Sequence, residues 1–282
     1  MQRFTTAVIG LGLIGGSLAY ALRGFKDGAI VGYDLNPAVT SAALQAGAID
    51  AVAQALRQAV EDADLCVFCA DPDGILAGIT EAAPYFKPGA VVTEICGVKQ
   101  EFSQSIPHLL PHGVHYIGLH PMAGKEVGGF ANAEGMLFRG AGMILVPPEG
   151  YAPSALELIR ELCEHIGAGR ILQNSAAEHD SLIGYTSDLM HISATALVAE
   201  IPEGFTMAHT AGSFRDCTRV ANIDAHLWTE LLLRNRAHIL PHLRDYIRHL
   251  RDFEAAMEQN DEAELQALLQ QAGDNKRGLH TK

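Results

Sequence analysis

The sequence predicts an α/β chain: a doubly wound, mostly parallel sheet first, then an all-helical second part. Three observations predict it. Short apolar runs alternate with helical stretches from Thr5 to Gln173. The first of those runs passes directly into Gly10-Leu11-Gly12-Leu13-Ile14-Gly15 and on into a helix. After Gln173 the strand signals stop, and from Leu227 to about Ala272 apolar residues recur at three- and four-residue steps.

Composition narrows the function. The chain has 282 residues, 48% hydrophobic and 19% charged, which is enough to bury a sizeable core. Its formal charge is −13, so no wide surface suits nucleic acid, and a small anionic substrate needs a local pocket of arginines or lysines. No apolar run reaches 18 residues, so no membrane span is expected. No signal peptide is expected before the first strand. The five cysteines are odd in number, and Cys66 and Cys69 point to opposite faces of a strand. They read as buried small hydrophobes in a reducing cytoplasm.

The first strand is Thr5–Gly10. Gly10 permits a tight turn, Gly12 lets a pyrophosphate approach the backbone, and Gly15 lets the helix pack on the strand. Leu13 and Ile14 then stand at a free helix N-terminus, where phosphate binds. The next strand, Ala29–Tyr33, ends in Asp34, 19 residues after Gly15, where a partner for a ribose 2′-hydroxyl belongs. A carboxylate there repels a 2′-phosphate, and Leu35 and Asn36 bring no arginine. The pattern therefore selects NAD over NADP and marks 1–173 as a Rossmann-type NAD-binding domain. Residues 174–282 are left as a helical domain for substrate binding and dimerisation.

Asn36-Pro37 caps and opens a helix to about Ala46. A strand over Leu65–Ala70 follows, and Ala70, Asp71 and Pro72 turn the chain beside the nicotinamide. A helix from about Gly74 to Phe86, a strand over Ala90–Ile95, and Cys96-Gly97-Val98-Lys99 lead to another helix. Val114–Gly118 reads as a strand that ends just before His120. That sets the histidine in a loop outside a strand's carboxyl end, where chemistry sits in open α/β sheets. On its own, such a histidine is as readily a structural one. Gly142–Val146 and Arg170–Gln173 are two more strands, with a helix from about Pro153 to Ile166 between them.

In the second part, Ser175-Ala176-Ala177-Glu178 is a capping box that opens a helix to about Ala199. Pro202, Glu203 and Gly204 mark a loop. Residues 211–221 hold two arginines and an acid with no amphipathic face, which suits a cleft better than a core. The long apolar stripe after Leu227 predicts burial against a second copy, and Pro241 is expected to kink or break it. His179 and His191 approach the cleft, though each reads first as structural. The other histidines of this part show no metal-ligand spacing, so no metal is assigned.

With these segments in place the chain resembles prephenate dehydrogenases, the oxidoreductases of tyrosine biosynthesis, over nearly its whole length. The resemblance rests on Gly10–Ser17 with Asp34 and on His120-Pro121-Met122-Ala123-Gly124-x-Glu126. It rests also on Phe214-Arg215-Asp216-x-Thr218-Arg219-Val220-Ala221, and on Trp228 with the helical tail through Asn235. It implies oxidative decarboxylation of prephenate by NAD to 4-hydroxyphenylpyruvate, in a cytoplasmic homodimer. His120 would take the proton of the ring hydroxyl as hydride leaves the same carbon. Arg219 would bind a substrate carboxylate, and Glu126 and Asp216 would be cleft acids. Lys125 and His191 fall on the substrate side, and Gly97 on the cofactor side.

Three departures stand out. Gly97 replaces a serine found in many members, which leaves Cys96, Lys99 or a water to orient His120. Asp188 replaces the first histidine of a Ser-His-Leu-Pro-His run, and Lys125 replaces a small hydroxyl residue. No appended regulatory domain is expected after Lys282. The rivals are an arogenate dehydrogenase of the same family, a β-hydroxyacid dehydrogenase, and an NAD sensor without turnover. The second of these relies on a helix-borne lysine, and Glu178–Ala199 has none.

Overall fold

The computed structural model describes residues 3–279, so expectations about Met1, Gln2 and the last three residues lie outside the described ones. Six parallel strands form the first sheet: β1 Thr5–Ile9, β2 Ala29–Tyr33, β3 Ala51–Val52, β4 Leu65–Phe68, β5 Val91–Glu94 and β6 His115–Tyr116. Their order is β3-β2-β1-β4-β5-β6. The order reverses direction between β1 and β4, and ligands of open α/β sheets bind at such a switch point. The short β3 and the helix after it, Leu56–Val60, are too short to show a period in the sequence.

Helices cover both faces. They are α1 Leu13–Ala21, α2 Pro37–Gln45, α3 Leu56–Val60, α4 Pro72–Ala82, α5 Gln100–Leu109 and α6 Pro153–His165. Alternate residues of β4 go to opposite cores. Leu65 and Val67 pack with Leu18, Ala43, Ile159 and Leu162, whereas Cys66 and Phe68 pack with Val60, Ile75, Ile79 and Phe102. Burial on both faces is why β4 reads as a continuous apolar run instead of an alternating one. The Asn36 cap behaves as the sequence predicts, its side chain accepting from Ala38 N–H at 3.0 Å; Asp71, expected only as a turn, also caps a helix, accepting from Gly74 N–H at 2.6 Å.

The apolar run expected as one strand over 114–118 is two. β6 stops at Tyr116, the buried Ile117 crosses over, and β7, Gly118–Pro121, begins a second sheet. There β7 pairs antiparallel with β8, Gly142–Val146, which pairs parallel with β9, Arg170–Gln173. His120 therefore lies within a strand, opposite Ile144, and not in a loop after one. A change of sheet leaves the apolar pattern intact, so the pattern could not show it.

The expected single helix after Ser175 is α7, Ala176–Ile183, and α8, Leu189–Val198, joined by a π-helical turn at Gly184–Asp188. The capping box at Ser175 is present. Then follow α9 Gly212–Thr218, α10 Ala225–Arg234, α11 Arg236–Glu258 and α12 Glu262–Gly278. The first interruption of the long stripe is at Asn235 and not at Pro241, which is the sixth residue of α11. The proline forgoes the bond to the Ala237 carbonyl, yet α11 continues through it to Glu258. By compactness the chain divides after Asn235, into a unit up to Asn235 and a second from Arg236 onward. Helices α7 and α10 thus belong with the sheets, α7 meeting α5 and β8, and α10 meeting α4. No described helix is long and apolar enough to cross a membrane.

Candidate active site

The glycine turn leaves β1 at the switch point. Gly10 has φ +86, and a Cβ there would lie 2.4 Å from the Cys69 carbonyl oxygen. A Cβ on Gly15 would lie 1.9 Å from the Gly10 carbonyl oxygen, so only glycine lets α1 start this close to the turn. Gly12 meets nothing within 4 Å, and no side chain caps α1. Its first N–H groups, including those of Leu13 and Ile14, are thus left without a side-chain acceptor at the N-cap. Asp34 ties the turn down: its carboxylate accepts the Leu11 N–H at 2.8 Å and the Asn36 N–H at 2.9 Å. Each oxygen keeps a lone pair for a further donor. Leu35 beside it is 89% exposed and uncharged. These features fit a dinucleotide without a 2′-phosphate.

The half-buried His120 projects from β7 toward the turn between β5 and α5. A Cβ on Gly97 would lie 3.8 Å from its Cε1 and 3.9 Å from its Nε2. Ala70 lies after β4, its backbone nitrogen 3.6 Å from a Cβ placed on Gly10, and Pro72 opens α4. The group that meets His120 Nδ1 is one the sequence did not suggest for that role. His120 Nδ1 is 2.8 Å from His179 Nε2, and His179 Nδ1 is 2.7 Å from Asp180 Oδ1. Asp180 also accepts the Lys99 and Gln100 N–H groups, each at 2.8 Å, which anchors it to the start of α5.

Polarity along this row follows from its end. A carboxylate accepts, so His179 Nδ1 carries a proton and Nε2 accepts from His120 Nδ1–H. His120 Nε2 is left as a free base on the side of Gly97. Burial first, then the Lys99 ammonium and His179, hold the His120 imidazole well below the usual histidine range. Burial lowers His179 too, against the opposing bond to Asp180. Both rings are thus neutral at neutral pH, as a proton acceptor must be.

The substrate-side residues divide. Arg219, just after α9, forms an ion pair with Glu126 of the β7–β8 loop, so two of the expected residues meet across the cleft. His191 on α8 stacks on Trp228 of α10, with ring centroids 3.6 Å apart, and donates from Nδ1 to the Ser187 carbonyl at 2.9 Å. Burial lowers the His191 imidazole, against the bond to Ser187, and the Arg219 charge lowers it further. Lys125 is paired within its own loop. Its ammonium turns back on its own loop, to Glu134 at 3.0 Å and the Asn132 carbonyl at 3.3 Å, because Glu134 is anchored nearby by its N–H to Ser17 Oγ. Asp216 lies exposed on α9 and makes no ion pair among the described residues.

Sequence reasoning brought His179 toward the cleft but read it first as structural, and it missed Asp180 and Leu231 as site residues. Leu231 of α10 lies 3.7 Å from a Cβ built on Gly97 and fills the space beside the imidazole. The only local signal was an adjacent His-Asp pair one turn after a capping box. Among the described residues no three His, Cys, Asp or Glu side chains are placed to hold a metal.

Comparison with known proteins decides the family. Residues 18–172 match the family model of the prephenate dehydrogenase nucleotide-binding domain, and residues 175–271 that of its dimerization domain. The chain belongs to the prephenate dehydrogenase family. Its relatives include a prephenate dehydrogenase of Bacillus subtilis, 30% identical over 98% of this chain and 76% of that one. A prephenate dehydrogenase from A. aeolicus, solved with hydroxyphenyl propionate and NAD+, is 25% identical with a TM-score of 0.88, over 99% of each chain. A Synechocystis arogenate dehydrogenase is 28% identical with a TM-score of 0.83, over 98% of this chain and 100% of that one. The reading of the chain as a dehydrogenase thus has independent support, as does the Rossmann-type sheet followed by a helical domain.

Proposed function

We propose that this chain is an NAD-dependent prephenate dehydrogenase that converts prephenate to 4-hydroxyphenylpyruvate and carbon dioxide, acting as a cytoplasmic homodimer. The observation that carries this is the His120–His179–Asp180 row, which leaves His120 Nε2 unprotonated beside Gly97 in the sheet crevice. NAD supplies the hydride acceptor. Gly10, Gly12 and Gly15 give its pyrophosphate room, the start of α1 gives it N–H donors, and Asp34 accepts from its ribose. Ala70, Pro72 and Gly97 border the nicotinamide.

His120 Nε2 accepts the proton of the ring hydroxyl while hydride leaves the same carbon and the ring carboxylate departs as carbon dioxide. The positive charge gained by His120 is shared toward Asp180 through His179. Arg219 releases Glu126 to clamp a substrate carboxylate in the forked geometry that suits guanidinium. His191 lines the same side, held flat against Trp228. Asp216 stands at the rim.

The boundary at 173/174 separates the cofactor-binding part from the part that supplies His179, His191 and Arg219. Dimerisation through the second part is supported by the matched dimerization domain. Exposed apolar residues support it too: Leu182, Met190, Leu197 and Ile201 in one unit, and Leu240, Ile247, Leu250 and Met257 on α11.

Absorbance of NADH at 340 nm is the test, with NAD plus prephenate or arogenate, each with and without tyrosine. NADH formed faster from prephenate is the expected result. Faster turnover of arogenate would transfer the reading to that substrate, and no NADH from either would reject it.

A further inference from the structure

Directly behind the proposed base lies a buried ion pair that the mechanism above does not use. Lys99 and Glu94 side chains are both fully buried. The Lys99 ammonium donates to both Glu94 oxygens at 2.8 Å and to the Cys96 carbonyl at 2.7 Å, which uses all three of its protons. Glu94 also accepts the Tyr116 hydroxyl at 2.8 Å and the Cys96 N–H at 2.7 Å. Apolar replacements of buried pairs are often neutral or stabilising, so stability alone does not account for this one.

Its placement does. Gly118 and His120 are two residues apart on β7 and share a face. A Cβ on Gly118 would lie 3.0 Å from the Tyr116 hydroxyl and 3.1 Å from Lys99 Cδ. The lysine stem therefore runs along the face of β7 from which His120 projects. At its other end, the Lys99 N–H binds the same Asp180 oxygen that holds His179. The Cys96 carbonyl and N–H, both tied to this cluster, fix the turn that carries Gly97 beneath the imidazole.

Taking the dehydrogenase reading as given, we propose that Lys99, clamped by Glu94, is a positioning residue for the reaction: it fixes the Cys96–Val98 turn beneath His120 and sets an ion-paired ammonium behind the His120–His179 pair. That cation opposes protonation of His120 before substrate arrives, which agrees with the lowered imidazole. The other titratable groups around it are His179 and Asp180 on α7, Tyr116 on β6 and Cys96 on the turn, whose thiol burial pushes up to about 12. On α10 are Glu230 and Arg234, the latter ion-paired with Asp73 and Glu101.

The test replaces the pair by neutral groups in the full-length protein, K99M/E94Q, with K99R and E94Q as companions. Two readouts are followed: the pH dependence of kcat, and the titration of the His120 ring by NMR in substrate-free protein. In K99M/E94Q both should move up toward the ordinary histidine range, while K99R, which keeps the cation, should hold them at wild type. E94Q strips the cation of its counter-charge and should move the ring titration down; it decides the matter if the double variant does not fold. A K99M/E94Q titration that coincides with wild type, a K99R titration that shifts as far as the double variant, or an E94Q titration that moves up or not at all, overturns the proposal. The NMR arm needs no turnover. Absence of activity in wild type would count against the proposed function and leave this inference measurable.

Discussion

At the scale of single residues, His120 and Arg219 should fail differently. His120→Asn keeps a polar side chain and removes the base, so kcat should fall by about 10²–10⁴ with KM little changed. Arg219→Ala removes a charge-assisted hydrogen bond to the substrate carboxylate, which contributes about 1.5–3 kcal/mol. KM should therefore rise by roughly one to two powers of ten. Steady-state kinetics on the two variants checks this, and a His120→Asn enzyme with a tenth or more of wild-type kcat removes the histidine from its role. The pH dependence of the wild type is a second check. Burial, Lys99 and His179 lower the His120 imidazole, so the active neutral form persists as the medium is acidified. The acidic limb of kcat should fall below the ordinary histidine value of about 6.5, and a midpoint at or above that value contradicts the environment described. His120 itself was marked in the sequence by Pro121 and the apolar run leading to it, which are local, although the strand it belongs to was not. Its partner was not: His179 lies 59 residues away, and only packing of α7 on the second sheet brings the rings together.

At the scale of elements, two glycines beside the crevice behave oppositely. A Cβ on Gly15 strikes backbone at 1.9 Å, whereas one on Gly97 meets its nearest neighbour at 3.7 Å. Gly97→Ser should fold with a Tm close to wild type and bring its hydroxyl within hydrogen-bond reach of His120 Nε2. Gly15→Ala should lose several degrees of Tm and weaken NAD binding; thermal melts and cofactor titrations distinguish them, and equal damage in both would mean the turn is placed wrongly.

The π-helical turn between α7 and α8 carries a second consequence. It ends at Asp188, buried at 3% exposure, whose carboxylate accepts from Asn235 Nδ2 at 2.7 Å. Burial pushes this carboxyl up to about 6, against the Asn235 bond and with help from Asp180. The folded state thus holds the proton to higher pH than the unfolded chain does. The resulting penalty is full above about pH 6 and vanishes below the unfolded value near 3.8. A shift of about two units corresponds to roughly 3 kcal/mol. Asp188→Asn should therefore stabilise the protein by up to about that amount at pH 7.5, with the gain gone near pH 3.5. Denaturant unfolding at both pH values measures it, and a gain that does not depend on pH rules out the carboxylate as its source. The sequence showed Asp188 as a departure from its relatives; that the side chain is buried depends on the π turn, which shifts the helical face by a fraction of a turn.

At the scale of the whole molecule, the prediction is assembly. Light scattering at micromolar concentration should give the mass of two chains, and introducing Asp at Leu197 and Leu250 together should shift the particle toward one. Single-chain mass for the unaltered protein would reject the dimer.

The sequence by itself determined whatever depends on neighbours in the chain. The glycine turn, the Asn36 and Ser175 caps, the acid at the end of β2 and the continuous apolar run of β4 each express a local backbone rule or a periodicity. Only the tertiary structure decided that the run around Gly118 changes sheets, that Lys125 turns back on its own loop and that Arg219 meets Glu126. It also decided that His120 is oriented by His179 and Asp180. Those outcomes depend on which surfaces are buried together. Burial is a property of residues far apart in sequence, so neither composition nor spacing carries it.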